Sequence, residues 1–194
     1  MPRLGILALQ GDVREHCATV QSLGIEPTMV RTPQQLDDVD ALILPGGEST
    51  AIAHLLVTSG LREPLAARLG DGMAAFGTCA GLIALAAEVL DGRSDQWSFA
   101  MLDVAVRRNG YGRQVASFET PVEVNGIGSV PGVFIRAPRI ERWATQVEVL
   151  ASHDHGDGEH PVLVRQGAVW GCSFHPELTS NAEIHGLFLD QSGF

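Results

Sequence analysis

The chain has 194 residues, 45% of them hydrophobic and 19% charged, a composition that suits one well-packed globular domain and argues against disorder. A formal net charge of -10 argues against the clustered Lys and Arg of a nucleic-acid footprint, and no apolar stretch approaches membrane-spanning length. Three cysteines, at 17, 79 and 172, form an odd set without framework spacing, so a reducing cytoplasm is expected rather than a disulfide-stapled secreted state.

In chain order, the apolar run at residues 4–9 reads as a first strand, because Gly11-Asp12 interrupts it before a signal-peptide core could form. Asp12 starts a helix in which Val13, Cys17 and Val20 recur at a spacing near 3.6, with Gly24 as its stop; this predicts Cys17 in the core. Residues 27–30 and 41–44 read as strands. The second runs into Pro45-Gly46-Gly47-Glu48-Ser49-Thr50, a turn before a helix at 51–56 with Ser49 as the predicted N-cap. Residues 73–76 form a strand that ends at Phe76-Gly77-Thr78-Cys79-Ala80-Gly81, and residues 82–87 continue as helix. Beyond 102 the pattern turns β-rich, at 103–106, 115–118, 121–124, 133–135, 147–151, 161–164 and 168–174, with hairpin-type turns at 125–128 and 156–158. Residues 181–189 close as a helix with Ile184 and Phe188 on one side. The alternation predicts an α/β fold, one domain over residues 1–194, with a mostly parallel sheet, helices on both faces and a partly antiparallel extension.

Cys79 carries the chemistry. A thiol with glycines at i-2 and i+2, between a strand and a helix, matches a nucleophile elbow in its cysteine form. The turn must push the side chain outward, the glycines remove clashing Cβ atoms, and the following helix favours thiolate. Near the carboxyl end, His175-Pro176-Glu177 follows an apolar strand; in extended backbone His175 and Glu177 project together, so the carboxylate can orient the imidazole. Alone, His-x-Glu is a weak signal. Beside an elbow cysteine it completes an acyl-transfer set of Cys79 as nucleophile, His175 as base and acid, and Glu177 as orienter. The remaining histidines, at 16, 54, 153, 155, 160 and 185, lack this setting. Backbone N–H groups of Ala80 and Gly47 are the candidate oxyanion donors. The stretch from His153 to His160 matches no zinc signature and reads as a solvated loop, so neither a metal site nor a cofactor is expected.

Taken together, the elbow and His175-Pro176-Glu177 resemble the class I glutamine amidotransferases. Leu9-Gln10-Gly11-Asp12-Val13-Arg14-Glu15-His16, the loop from Leu44 to Thr50, the elbow, Arg108-Asn109-Gly110-Tyr111-Gly112-Arg113-Gln114, Phe134-Ile135-Arg136-Ala137-Pro138 and Phe174-His175-Pro176-Glu177-Leu178 narrow the likeness to the PdxT family. The resemblance implies a flavodoxin-like sheet and a glutaminase that releases ammonia to the synthase subunit (PdxS-like) of a pyridoxal 5'-phosphate synthase complex. It implies substrate contacts at Gly47, Glu48, Ser49, Arg108, Ile135 and Arg136, and a partner contact along residues 12–16. Competing readings are a glutaminase subunit of another amidotransferase, a catalytically silent regulatory subunit, and an elbow-cysteine hydrolase or redox sensor.

Overall fold

The computed structural model describes residues 2–92, 96–110, 117–156 and 158–194. Residues 111–114 of the motif that begins at Arg108, the first two residues of the strand expected at 115–118, and Asp157 in the expected turn lie outside the described residues.

Five parallel strands build the centre: β1 (Leu4–Leu7), β2 (Thr28–Val30), β3 (Ala41–Leu44), β4 (Ala74–Thr78) and β12 (Val169–Cys172). Two antiparallel strands, β10 (Glu148–Asp154) and β11 (Glu159–Gln166), extend the sheet, whose order is β10-β11-β12-β4-β3-β1-β2. Strands buried on both faces read as continuous apolar runs, and Ala41-Leu42-Ile43-Leu44 shows why. Ala41 and Ile43 join one core, while Leu42 and Leu44 join the other. On the first side lie α1 (Val13–Ser22) and α6 (Glu183–Gln191), through Val20, Ile184 and Phe188. On the opposite side lie α2 (Pro33–Asp37), α3 (Ser49–Thr58), α4 (Arg62–Gly70) and α5 (Ala80–Leu85), through Leu36, Leu56, Leu65 and Leu82. The expected α/β sheet with helices on both faces is therefore present.

The extension comprises two further sheets. β5 (Ala86–Val89), β6 (Leu102–Arg107) and β9 (Arg139–Trp143) form one, in the order β5-β6-β9; β7 (Ser117–Val124) and β8 (Gly128–Ile135) form a hairpin across the expected turn. Several local expectations change. The apolar run read as helix to residue 87 leaves the helix after Leu85, because Ala86 and its neighbours pair with β6. Ser49 is the first helical residue of α3; Glu48 is the N-cap, accepting hydrogen bonds from the N–H groups of Thr50 (3.0 Å) and Ala51 (2.7 Å). Cys17 is only half-buried at the edge of its core, whereas His16 beside it is fully enclosed. His153 and Asp154 belong to β10, and Glu159 and His160 to β11, so the expected loop between them shortens to a hairpin turn; the His153 and His155 rings sit against Phe134.

Candidate active site

The parallel strands deliver the reactive groups to one edge of the sheet, beyond their carboxyl ends, where open α/β sheets bind ligands. Register does the placing. Cys172 of β12 pairs with Thr78 of β4, and the Cys79 N–H donates to the Cys172 carbonyl at 2.8 Å, so the chain leaving β12 passes beside the thiol.

Cys79 has φ 49° and ψ -102°, a sparsely populated conformation for an L-residue, and it is followed at once by α5. Its flanking glycines are required by contact. A Cβ on Gly77 would lie 2.5 Å from the Gly81 backbone, and one on Gly81 would lie 2.0 Å from the Leu44 carbonyl oxygen.

His175 and Glu177 are both buried, and Nδ1 of the imidazole lies 2.7 Å from Glu177 Oε1. They are not alternate residues of a strand, as expected from sequence. β12 ends at Cys172, and Pro176–Leu178 form a single 3-10 turn with proline at its first position, where a missing N–H costs nothing. The turn folds Glu177 back under the ring. Asp12, at the start of α1, places Oδ2 3.3 Å from the same Nδ1. Burial works against charge on His175. Hydrogen bonding to Asp12, Cys79 and Glu177, together with the electrostatic influence of Cys79, outweighs it and pushes the His175 pKa up to about 12. Burial also raises the Glu177 carboxyl, against the hydrogen bond and charge of His175. The arrangement is that of an imidazolium between the Cys79 sulfur and a carboxyl group. Among the described residues, the one group of metal-ligand side chains with donor atoms within 4.8 Å of one another is Asp12, His175 and Glu177, whose shared nitrogen already faces both carboxylates.

In front of the thiol lies a solvent-open cleft of about 410 Å³, its mouth included. Gly47, Glu48 and Ser49 form one wall, and Cys79, Ala80 and Ile83 the floor. Arg108, Asn109, Ile135 and Arg136 complete the rim. Every residue expected to contact substrate thus faces one cavity. The Arg108 guanidinium approaches Glu48 Oε1 at 3.4 Å and Thr50 Oγ1 at 3.3 Å. Despite some burial, the N–H groups of Thr50 and Ala51, with Arg108, hold the Glu48 carboxyl below its ordinary range. Arg136, like Cys79, is a non-glycine residue at positive φ (43°), so two of the three such described residues lie on this cleft. Ala80, in the first turn of α5, has an N–H with no partner inside the helix and is free to face an oxyanion. The glycine loop is pinned from behind: Gln10 Oε1 accepts the Glu48 N–H at 2.8 Å, and Thr78 Oγ1 accepts the Gly46 N–H at 3.1 Å.

Sequence reasoning set His16 and His185 aside. His16 Nε2 lies 3.6 Å from Glu177 Oε1 and 3.1 Å from Thr78 Oγ1, while His16 Nδ1 lies 2.9 Å from His185 Nε2. A signal existed: Val13, His16 and Val20 fall on one helical stripe, and a single polar residue on such a stripe calls for a buried partner.

Residues 6–193 match the SNO glutamine amidotransferase family. A protein from Nocardia farcinica described as pyridoxal 5'-phosphate synthase subunit PdxT is 52% identical over 192 residues, covering 97% of this chain and 85% of that one. A protein of the same description from Salinispora tropica is 50% identical, covering 97% and 96%. A crystal structure of a glutamine amidotransferase superposes with a TM-score of 0.91 at 49% identity, covering 98% and 99% of the two chains. PurLQS from Thermotoga maritima shares the fold at a TM-score of 0.71 and 19% identity, covering 98% and 95%. The chain belongs to the SNO glutamine amidotransferase family.

Proposed function

We propose that this member of the SNO glutamine amidotransferase family is the glutaminase subunit, of PdxT type, of a pyridoxal 5'-phosphate synthase, acting as one domain over residues 1–194. The observation that carries the reading is the His175–Glu177 pair at 2.7 Å acting on Cys79 at the floor of a cleft rimmed by Arg108 and Arg136.

Cys79 thiolate attacks the side-chain amide carbon of glutamine, and the tetrahedral oxyanion is received by the N–H groups of Ala80 and Gly47. With Nδ1 engaged by Glu177, the imidazolium gives the proton on its other nitrogen to the amide nitrogen, and ammonia leaves a thioester. The now neutral His175 removes a proton from water, whose oxygen attacks the thioester carbonyl, and collapse releases glutamate and regenerates the thiolate beside imidazolium. Arg108 or Arg136 meets the α-carboxylate of glutamine, and Glu48 its ammonium group. The ammonia passes to a synthase subunit, which joins it to a pentose phosphate and a triose phosphate. Three free cysteines accord with the reducing cytoplasm expected for this chemistry; no helix among the described residues is long and apolar enough to cross a membrane.

The test is glutamate release from glutamine by the chain alone and mixed with a synthase subunit of this class, with pyridoxal phosphate followed in the mixture. Cys79→Ala should abolish both products while ammonium salts still support pyridoxal phosphate formation by the synthase. Glutamate release without any stimulation of pyridoxal phosphate would point to another amidotransferase, and no glutamate release under either condition would refute the glutaminase.

A further inference from the structure

Two histidines outside the triad are fully buried and face each other, His16 from α1 and His185 from α6, with ring centroids 5.2 Å apart. Their nitrogens admit two hydrogen-bonding patterns, and the surroundings separate them. If His16 Nδ1–H donated to His185, the His185 proton would sit on Nδ1, which among the described residues has no partner, and the lone pair on His16 Nε2, although it could accept the Thr78 O–H at 3.1 Å, would face Glu177 Oε1, 3.6 Å away, with no proton between them. A buried unpaired donor and a lone pair facing a carboxylate are both costly. In the reverse pattern His185 Nε2–H donates to His16 Nδ1. His16 Nε2–H then points to Thr78 Oγ1 at 3.1 Å with Glu177 Oε1 behind it; the Thr78 hydroxyl proton gives up His16 as an acceptor and a lone pair on His185 has no partner, but a proton now faces the carboxylate, which decides for this pattern. Thr78 Oγ1 has two lone pairs, and they match its two donors, His16 Nε2–H and the Gly46 N–H at 3.1 Å.

The groups facing His16 are His185 from α6 and His175 and Glu177 from the segment after β12, while Asp12 lies one turn back on α1. Burial, reinforced by the two neighbouring imidazoles, holds the His16 pKa well below its ordinary value, and burial lowers His185 to about 4. Both rings are therefore neutral, as the second pattern requires.

We propose that His16, fixed by His185, is a positioning residue of the thiol site. Its Nε2–H is directed at the hydroxyl that anchors Gly46 and at the carboxylate that orients His175. One buried imidazole thereby ties the base to the glycine loop, which are separate in sequence. The role rests on the glutaminase reading only for its effect on turnover; its effect on the thiol does not.

The experiment compares His16→Gln, whose amide nitrogen can stand where Nε2 stands, with His16→Asn, whose amide nitrogen can stand only where Nδ1 stands, and adds Thr78→Val. For each variant shown folded by circular dichroism, the pH dependence of Cys79 alkylation by iodoacetamide is followed by peptide mass spectrometry, and glutamine kcat and KM are measured with the synthase subunit present. His16→Asn and Thr78→Val should move the alkylation midpoint to higher pH and lower kcat on the order of 10-fold, with KM within about twofold. His16→Gln should keep both near wild type. The assignment falls if His16→Asn keeps the wild-type midpoint and kcat, or if His16→Gln falls as far as His16→Asn. Should His16→Asn fail to fold, Thr78→Val alone carries the decision, a wild-type midpoint and kcat overturning the assignment. Alkylation needs no glutamine, so a wild-type chain inert to glutamine would sink the glutaminase reading and leave the positioning result standing.

Discussion

Cys79 is held at φ 49° by the elbow, a conformation that costs an L-residue of order 1–3 kcal/mol and costs glycine little. Replacement by glycine should therefore leave the protein at least as stable as replacement by alanine, by about 1 kcal/mol, reversing the usual order in which alanine is the more stabilising. Urea unfolding of the two Cys79 variants measures this directly, and a more stable Cys79→Ala would mean that the strain is absent. A second residue-scale test lies at Gly46, where an added Cβ would stand 2.4 Å from His175 Cε1 and 2.9 Å from Nδ1. Gly46→Ala should displace the ring and lower kcat by at least about 100-fold while the unfolding midpoint changes modestly, because the ring lies at the sheet's edge rather than in its core. Wild-type turnover in that variant would show the ring free to yield. The elbow was legible in sequence because its glycines are demanded by contact, so their spacing carries the geometry. His16 was not, because the helical period that placed Cys17 inward fits His16 equally well, and only the position of His185, far along the chain, decides which of the two is enclosed.

At the scale of elements, α1 and α6 meet through a polar pair inside an otherwise apolar layer, and this makes their packing pH-dependent. His185 has its folded pKa depressed from 6.5 to about 4, so between those values the unfolded chain binds the extra proton and the folded chain does not. Stability from this group is thus intact above pH 6.5 and is lost as pH falls toward 4, by up to about 3 kcal/mol, with His16 adding in the same direction. His185→Leu should flatten the fall in urea midpoint between pH 7 and pH 5; an unchanged slope would place the acid sensitivity elsewhere. Sequence reading also passed over α4, and over α2, although Thr32 caps α2 locally with Pro33 in its first turn; β5 and β9 escaped it for a cause shared with this pair, since each is defined by a distant partner. β9, Arg-Ile-Glu-Arg-Trp, has the charge of a loop, yet Glu141 is flanked by Arg107 and Arg139 once β9 pairs with β6. β5 follows a helical run without a break and becomes strand only because β6 lies alongside. The central strands β1, β3, β4 and β12 were visible because burial on both faces writes itself as a nearly unbroken apolar run.

Across the whole molecule, the cleft is a seam. The main sheet supplies Cys79 and the Gly47–Glu48 wall, the second sheet supplies Arg108 just beyond β6, and the β7–β8 hairpin supplies Ile135 and Arg136. The mostly parallel sheet alone would present Cys79 without Arg108, Ile135 and Arg136, which the partly antiparallel extension brings to the cleft. Arg108 is the link best fixed across the seam, since its backbone N–H donates to Asp91 at 2.6 Å and its guanidinium reaches Gln96, Glu48 and Thr50. Its contact with half-exposed Glu48 contributes little to folding, because solvent screens such pairs. Against a substrate carboxylate, desolvated between two sheets, the same guanidinium forms charge-assisted hydrogen bonds worth about 1.5–3 kcal/mol each. Arg108→Ala should accordingly raise the glutamine KM on the order of 10- to 100-fold, leave kcat within a few-fold and leave the unfolding midpoint nearly unchanged. Arg108→Lys should recover part of the loss, as a point charge without the planar fork. If KM stays at the wild-type value in Arg108→Ala and rises instead in Arg136→Ala, the carboxylate is held by the hairpin, and Arg108 serves to orient Glu48.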